Sequence, residues 1–289
     1  MTVLQRAMRS AAALLAEAGI DSARCDAELL AAHLAGTERG RLALLEQPDD
    51  EFFERYHHLV AARSRRVPLQ HLTGTAWFGP VRLHVGPGVF IPRPETEAML
   101  AWAAAQPLPA RPVIVDVFTG SGALAVAMAR HLPAARIFAI DDSEAALGYA
   151  RRNVEGTDVE LVRADVTVSG LLPELDGQAD LLVANPPYVP DDAALEPEVA
   201  QHDPKHAVFG GADGMGLVAV VVALAARWLR PGGQFAVEHD DSTSTLTADL
   251  VGSTGFFDEV RAHKDLAGRP RFVTARKRGY HPRAGEGEP

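Results

Sequence analysis

The sequence of 289 residues predicts an α/β protein in which a mostly parallel sheet, covered by helices on both faces, follows a small helical bundle. Three observations support this fold class. Residues 1–66 show only helical periodicity, two short β-like runs flank Gly79-Pro80, and from Val113 onward apolar runs alternate with helical segments. Such alternation favours parallel strands because a parallel connection has to cross over the sheet, usually as a helix.

The N-terminal part of the chain predicts four short helices. Leucine and isoleucine residues mark the first and third of them: Leu14, Leu15, Ile20, Leu42, Leu44 and Leu45. Ser22 is the candidate N-cap of the second helix and Gly36 its end, while Asp49 or Asp50 begins the fourth. Three arginines end the fourth helix, where cations complement the negative end of its dipole: Arg63, Arg65 and Arg66. A partner-binding surface is the alternative role for these arginines.

The C-terminal part predicts seven strands, at 113–117, 136–140, 159–162, 180–184, 234–238, 258–263 and 271–275. Helical segments lie near 122–131, 143–153, 216–229 and 243–252. The expected organisation is a helical domain (1–66), a linker with a β-hairpin (67–92), an α/β domain (93–277) and a tail (278–289). The tail is rich in charge, Gly and Pro, so we expect it to be disordered.

The composition argues against several classes of protein. A net charge of −10 opposes a duplex nucleic-acid substrate, which proteins contact with clustered Lys and Arg, and favours a basic protein partner. Cys25 is the only cysteine, which excludes an intramolecular disulfide and a zinc site built on several cysteines. No apolar run reaches the ~18 residues that span a bilayer, and Met1–Ser10 lacks the pattern of a signal peptide. We therefore expect a protein of the cytoplasm that contacts no membrane.

A glycine-containing loop follows the first predicted strand and opens a helix. Gly120 and Gly122, in the run Asp116–Gly122, allow the backbone to approach a ligand closely. The next strand delivers Asp141 about twenty residues further on, where a carboxylate accepts hydrogen bonds from ribose hydroxyls, and the alternative role of Asp141 is that of an N-cap. Asp165 follows the third strand and either meets the amine of an adenine or caps the following turn. These residues predict a cofactor with a nucleoside, and the loop alone leaves a nicotinamide dinucleotide open.

Four residues at the end of the fourth predicted strand indicate the reaction. Asn185, Pro186, Pro187 and Tyr188 follow the apolar run Leu181–Ala184. Asn supplies a carbonyl acceptor, the prolines leave their preceding carbonyls outside ordinary strand pairing, and Tyr supplies a flat face. Together they suit a planar amide or amine, and the alternative is an ordinary Asn-Pro turn. Because ligands of open α/β folds gather at this edge, the turn favours methyl transfer to a flat nitrogen.

The chain resembles the HemK/PrmC family of S-adenosylmethionine-dependent methyltransferases, from its helical N-terminus to about residue 277. Besides Asn-Pro-Pro-Tyr, the resemblance rests on Pro68–Gly74 (PLQHLTG), Phe90–Glu97 (FIPRPETE) and Gly210–Gly214 (GGADG) followed by Gly216-Leu217. It implies a Rossmann-like class I methyltransferase domain with a seven-stranded sheet. It also implies that the chain methylates the glutamine of the Gly-Gly-Gln motif in class I peptide chain release factors and so supports translation termination.

The same resemblance implies roles for individual residues. The implied cofactor contacts are Phe90, the loop residues Phe118, Thr119, Gly120, Ser121 and Gly122, Asp141 at the ribose, Asp165 and Val166 beside the adenine, and Asn185 near the transferred methyl group. The implied catalytic residues are Asn185, Pro186 and Tyr188, which bind the substrate together with Pro187. We expect the helical domain to recognise the substrate protein, because a glutamine on a small loop supplies too little surface to select one protein. We also expect the chain to be a monomer and the reaction to need no metal.

The chain departs from the family pattern at three places. Phe118 stands where many relatives have glycine or a small residue, and its bulk reshapes the cofactor pocket or lowers the affinity for the cofactor. Asp203-Pro204 replaces a more usual Glu-Pro, and Asp240-Asp241 stands where relatives tend to have glycine. We expect none of these departures to abolish activity.

Three other functions stay open: glutamine methylation of a ribosomal protein, amino-methylation of DNA or RNA, and cofactor binding without turnover. Acidic residues after the Asn-Pro-Pro-Tyr turn oppose a polyphosphate strand: Asp191, Asp192, Glu196 and Glu198. Pro204 argues against a helical metal site at His202 and His206. Glu238 and His239, at the end of a strand, are interpreted as part of the pocket wall because no partner nucleophile is evident, and a catalytic role is the alternative.

Overall fold

The computed structural model describes residues 1–46 and 48–279 and divides into two compact units. The helical unit comprises Met1–Ala76, Val85–Pro87 and Leu195–Asp203, and the sheet unit comprises Trp77–His84, Gly88–Ala194 and the chain from Pro204 onward. The expected disordered tail lies, from residue 280 on, outside the described residues. The domain boundaries derived from the sequence stay predictions.

The helices are α1 Val3–Glu17, α2 Ala23–Leu34, α3 Asp50–Ser64, α4 Leu69–Thr73, α5 Glu97–Ala104, α6 Ala123–His131, α7 Glu144–Asn153, α8 Pro197–His202, α9 Gly216–Trp228 and α10 Ser244–Ser253. The strands are β1 Thr75–Phe78, β2 Val81–His84, β3 Val113–Val117, β4 Arg136–Asp141, β5 Val159–Arg163, β6 Ala179–Ala184, β7 Leu229–Glu238, β8 Phe257–Lys264 and β9 Pro270–Lys277. Short 3₁₀ helices lie at Arg39–Leu44, Pro94–Thr96, Pro173–Leu175, Lys205–Ala207 and Asp241–Thr243.

The helical unit follows its sequence signals closely. Asp49 caps α3, since its carboxylate accepts a hydrogen bond from the backbone N–H of Phe52 at 2.9 Å. Gly36 takes a left-handed conformation just beyond α2, with φ +61°, where glycine has no Cβ penalty. Ser22 occupies the N-cap position of α2, although its side chain makes no capping bond. The third predicted helix is a 3₁₀ helix.

Arg63 lies in the last turn of α3, as expected, and also forms ion pairs that the sequence did not predict. Its guanidinium is buried: Nε donates to Asp26 Oδ2 at 2.7 Å and Nη1 to Glu198 Oε1 at 2.8 Å. Arg66 reaches the same Glu198 oxygen at 3.5 Å, whereas Arg65 is exposed. Glu198 is therefore engaged inside the helical unit.

The sheet unit contains the predicted seven-stranded, mostly parallel sheet, which confirms the α/β fold class. Its strand order is β5-β4-β3-β6-β7-β9-β8, and β9 is the one strand of the seven that runs opposite in direction to the others. All seven predicted strands are present. The largest difference is that β7 begins at Leu229, because a register shift against β6 accommodates the Pro231-Gly232-Gly233 segment. β1 and β2 form the predicted hairpin.

The central strands β3, β4 and β6 are buried on both faces, as expected for parallel strands. All residues of β6 are buried, and large side chains such as Trp228, Phe235 and Phe138 pack in one continuous core. Burial of each of these side chains stabilises the fold by about 1.5–3 kcal/mol. Among the described residues, no helix combines the length and apolar character needed to span a bilayer.

Candidate active site

The predicted site residues leave the sheet at one edge because their strands are parallel and in register. Val117, the last residue of β3, pairs with Ala184, the last residue of β6. The loop that begins at Phe118 and the turn that begins at Asn185 therefore lie side by side. β4 pairs with the other side of β3 and ends at Asp141. The strand order reverses at β3, so this edge is the crevice in which open α/β sheets bind ligands.

The loop after β3 takes three left-handed residues in alternation: Phe118 at φ +62°, Gly120 at +56° and Gly122 at +82°. Glycine adopts such φ values without strain, whereas at Phe118 they cost about 1–2 kcal/mol. The backbone N–H of Thr119 donates to Ile140 O at 3.0 Å, which joins the loop to β4. The unusual Phe118 is thus held in a strained conformation inside the predicted cofactor loop.

Asp116 supports this loop from inside the sheet unit. Its Oδ2 accepts hydrogen bonds from the Thr119 hydroxyl at 2.6 Å and from the Ala125 backbone N–H at 3.1 Å. Burial raises the pKa of the Asp116 carboxyl to about 7, although both hydrogen bonds act in the opposite direction. The carboxyl group therefore fixes both the loop and the first turn of α6.

Asp141 joins the same loop to α7. Its Oδ2 accepts from the Gly120 backbone N–H at 2.8 Å, and its Oδ1 accepts from the Ser143 backbone N–H at 2.9 Å. Burial raises the pKa of this carboxyl, and the two backbone donors oppose the rise. Each carboxylate oxygen has about two lone-pair positions, so both retain capacity for a ribose hydroxyl. The predicted ribose contact is compatible with the geometry.

Asp165 and Val166 follow β5 with different environments. Asp165 is exposed, and its Oδ1 accepts from the hydroxyl and the backbone N–H of Thr167, at 2.6 and 2.9 Å. The hydroxyl bond is the main reason that the pKa of Asp165 is lowered. Val166 is buried in the core of the sheet unit. Asp165 thus caps its turn, as one expectation had it, and the adenine contact stays a prediction.

Asn153, at the end of α7, joins the end of β2 to the loop after β3. Its Nδ2 donates to Ser121 O at 2.9 Å and to His84 O at 3.0 Å, and its Oδ1 accepts from the His84 N–H at 2.7 Å. Nothing in the sequence pattern singled out Asn153.

The Ser121 hydroxyl is buried and has no hydrogen-bond partner among the described residues. Phe90 is half-buried, with the Arg93 guanidinium 4.9 Å from its ring centre.

The Asn185–Tyr188 turn packs tightly against a glycine-rich turn. Pro186 and Pro187 are buried, and a Cβ atom on Gly210 would overlap the carbonyl oxygen of Pro187. A Cβ atom on Gly214 would overlap the carbonyl oxygen of Tyr188 in the same way. Gly210 and Gly214 of the GGADG segment are therefore required by the close approach of two backbones.

A chain of hydrogen bonds runs behind the Asn185–Tyr188 turn. Asn185 Nδ2 donates to Thr96 Oγ1 at 3.2 Å, and the Thr96 hydroxyl donates to Glu238 Oε2 at 2.7 Å. The Tyr188 hydroxyl donates to Glu238 Oε1 at 2.8 Å. Arg271 Nη1 donates to the Tyr188 oxygen at 3.3 Å. We call these five residues the polar chain.

Glu238 is the centre of the polar chain and is 1% exposed. Burial raises the pKa of its carboxyl to about 7, while Thr96, Tyr188 and Arg271 act to lower the pKa. Burial also raises the pKa of the Tyr188 phenol, which therefore keeps its proton and remains a donor. The sequence interpretation of Glu238 as plain pocket wall missed these bonds.

Thr96 and Arg271 were missed altogether by sequence reasoning. Thr96 could have been found from its place in the FIPRPETE segment. Arg271 could have been found as a charged residue next to the buried stretch Phe272–Ala275. The departure Asp240-Asp241 has a local explanation, because Asp240 Oδ1 accepts from the Ser242 N–H at 3.0 Å and caps a 3₁₀ helix. In the described part of the chain, no group of three or more His, Cys, Asp and Glu residues is arranged to hold a metal ion.

Comparisons with known proteins agree with this geometry. Residues 6–74 match the model of the PrmC N-terminal domain, and residues 94–212 match that of the methyltransferase small domain. A solved methyltransferase from Pyrococcus furiosus superposes with a TM-score of 0.52 and 19% identity, covering 76% of this chain and 100% of that one. The fold and the site thus define a methyltransferase that uses a donor of the S-adenosylmethionine type.

Two relatives define the family more narrowly. The release factor glutamine methyltransferase of Mycobacterium tuberculosis (strain ATCC 25618 / H37Rv) is 71% identical over 287 residues, which cover 98% of this chain and 94% of the relative. The protein of the same name from Mycobacterium leprae (strain TN) is 72% identical over 282 residues, covering 96% and 98%. The chain belongs to the HemK/PrmC family, that of the release factor glutamine methyltransferases.

Proposed function

We propose that this protein transfers a methyl group from S-adenosylmethionine to the side-chain amide nitrogen of the glutamine in the Gly-Gly-Gln motif of class I peptide chain release factors. The observation that carries the proposal is the 71% identity, over 98% of the chain, to an enzyme named for this reaction. The Asn185–Tyr188 turn beside the loop after β3 supports the same chemistry.

The turn has to make a weak nucleophile react. The lone pair of an amide nitrogen is delocalised into the carbonyl group, so the site must orient and polarise the nitrogen. In our proposal Asn185 Oδ1 and the Pro186 carbonyl accept the two N–H bonds of the substrate amide, and Tyr188 packs on its plane. These acceptors also stabilise the positive charge that develops on the nitrogen. The proton leaves after transfer.

The cofactor residues of the proposal are those around the loop after β3. S-adenosylmethionine, when bound, supplies a methyl group on a positively charged sulfur. The left-handed Gly120 and Gly122 and the unpartnered Ser121 hydroxyl fit a ligand that approaches the loop backbone, and Asp141 retains acceptor capacity for a ribose. The remaining proposed cofactor contacts are Phe90, Phe118, Thr119, Asp165, Val166 and Asn185.

The N-terminal residues 1–66 are proposed to recognise the release factor, since one glutamine on a small loop offers too little surface to select one protein. The chain is proposed to act as a monomer in the cytoplasm, where translation terminates, without direct contact to nucleic acid. Its net charge of −10 supports a protein substrate over a polyphosphate strand.

The test is methyl transfer from labelled S-adenosylmethionine to a purified class I release factor. The same factor with its Gly-Gly-Gln glutamine replaced, total ribosomal protein and duplex DNA serve as parallel acceptors. The proposal expects label on the intact factor only. Label on ribosomal protein or DNA instead would support one of the alternative enzymes, and cofactor binding without transfer to any acceptor would support a binding module.

A further inference from the structure

In the polar chain behind Asn185, the number of available protons determines which group donates and which accepts in each hydrogen bond. An ionised carboxylate only accepts hydrogen bonds, so both groups that contact Glu238 have to donate to it. The Thr96 hydroxyl donates to Oε2 at 2.7 Å and the Tyr188 hydroxyl to Oε1 at 2.8 Å. Each hydroxyl has a single proton, and each uses that proton in its hydrogen bond to Glu238.

The remaining contact of Thr96 is therefore fixed as well. Because its only proton is used, Thr96 Oγ1 accepts from its other neighbour, Asn185, at 3.2 Å. A side-chain amide donates only through Nδ2, so Nδ2 faces Thr96 and Oδ1 faces away. The same count applies at Tyr188, whose oxygen accepts from Arg271 Nη1 at 3.3 Å.

We propose that Thr96 and Glu238 are positioning residues that lock the Asn185 amide in the orientation needed to present Oδ1 to the substrate nitrogen. The inference rests on the proposed function, in which Asn185 Oδ1 accepts a substrate N–H. If the Asn185 amide turned over, Oδ1 would face the Thr96 oxygen, which has no proton left to donate, and Nδ2 would face the substrate N–H. Both contacts would become repulsive. Glu238 thus acts on the reaction through Thr96 without touching the substrate.

The ionisation of Glu238 controls this direction. A protonated Glu238 carries a donor, so one hydroxyl has to accept from it. Tyr188 already faces the donor Arg271 on its other side, so the Thr96 hydroxyl is the one that reverses. Its proton then points toward Asn185, and the constraint on the amide is lost. The charged and titratable groups that act on Glu238 are Arg271, Tyr188 and Glu95: Arg271 and the Tyr188 hydrogen bond lower its pKa, and Glu95 raises it. With burial included, the pKa of Glu238 is about 7, so the carboxylate form dominates only above neutral pH.

The variants for the test are chosen to change the direction of the chain while keeping its shape. Glu238→Gln has the size of glutamate but carries a donor, and Thr96→Val removes the hydroxyl at nearly constant volume. Thr96→Ser keeps the hydroxyl and is the matched control. We expect Glu238→Gln and Thr96→Val each to lower kcat by about 10²-fold, as removal of one polarising contact does, with the KM for S-adenosylmethionine little changed. Thr96→Ser should keep activity within about threefold of the unaltered protein.

The pH profile separates this role from a merely structural one. For the unaltered protein, kcat should rise as the pH increases through about 7, as Glu238 loses its proton. Glu238→Gln should show no such rise. Thr96→Val should likewise show no such rise, because without the Thr96 hydroxyl the protonation state of Glu238 no longer reaches Asn185.

Two results would overturn the inference while the unaltered protein still methylates the release factor. One is a Glu238→Gln enzyme with undiminished kcat or an unchanged pH rise. The other is a Thr96→Ser enzyme as impaired as Thr96→Val, which would mean that side-chain volume, not the hydroxyl, matters at this position. If Glu238→Gln does not fold, as judged by its near-ultraviolet circular dichroism, the Thr96 pair decides alone. Absence of transfer by the unaltered protein would refute the proposed function instead.

Discussion

The two units of the molecule each contain a largely buried arginine beside carboxylates, and they use it differently. In the helical unit, Arg63 makes short ion pairs with Asp26 and Glu198, at 2.7 and 2.8 Å. In the sheet unit, Arg271 lies 3.5 Å from Asp265 and donates to the Tyr188 hydroxyl, which in turn bonds Glu238. The first arrangement pairs charge with charge, and the second holds a carboxylate mainly through neutral hydroxyls.

The two arrangements therefore have different consequences for the protein. In the ion pairs around Arg63, the arginine only donates hydrogen bonds and the carboxylates only accept them, so no hydrogen bond can reverse. These ion pairs therefore have a structural role: they hold α2, α3 and α8 together within the helical unit. Hydroxyl groups can donate or accept, so the polar chain in the sheet unit transmits the protonation state of Glu238 to Asn185. Breaking the first arrangement should cost stability, and altering the second should cost activity.

The largest expected effect on stability is that of Arg63→Ala. It leaves Asp26 buried without its cation, which should destabilise the helical unit by about 3–5 kcal/mol. Hydrogen exchange of the amides in α2 and α3 measures this loss. Arg65→Ala is the matched control, because Arg65 lies two residues away and is exposed, and should change stability by less than about 0.5 kcal/mol. Equal effects of the two variants would contradict the comparison.

A smaller effect is expected for Gly210→Ala in the sheet unit. The added methyl group would overlap the Pro187 carbonyl oxygen, so the turn must shift, at a cost of about 1–3 kcal/mol in the free energy of unfolding and with a loss of methyl transfer. Gly148→Ala, inside α7 with open space around its Cβ position, is the control and should stabilise by up to about 1 kcal/mol. Urea unfolding beside a transfer assay checks both. Unchanged activity in Gly210→Ala would show that the turn is not held as tightly as described.

The smallest expected effect concerns the strained backbone of Phe118 in the loop after β3. Phe118 has φ +62°, so Phe118→Gly relieves strain while Phe118→Ala retains it, and both lose the same ring. The glycine variant should therefore be the more stable of the two by about 1 kcal/mol, the reverse of the order in a helix. Thermal unfolding of the pair measures the difference. A more stable alanine variant would mean that the backbone of residue 118 is not left-handed in solution.

Much of the fold could be predicted because the signals are local. Alternating apolar runs and helical segments located all seven strands of the sheet, and Asp49 and Gly36 marked helix ends through capping chemistry. The parallel order then required Asn185 and the loop after β3 to meet at one edge. The start of β7 was missed because a Pro-Gly-Gly segment is typical of a turn, and here it is accommodated by a register shift.

The missed parts of the site depend on contacts between residues far apart in sequence. Thr96 and Glu238 are separated by 142 positions, and nothing in either local pattern predicts that they share a hydrogen bond. The same holds for Asn153, which reaches His84 over 69 positions. Sequence reasoning identified the residues at strand ends and overlooked those that hold them in place.

The most direct test of the account measures cofactor binding and single-turnover methyl transfer on the same samples of Asn185→Ala. We predict that transfer to the release factor glutamine falls by at least about 10³-fold, far more than any change in affinity for S-adenosylmethionine, because the variant removes the proposed acceptor for the substrate N–H. Transfer at a rate near that of the unaltered protein would contradict the central claim that Asn185 acts on the substrate nitrogen.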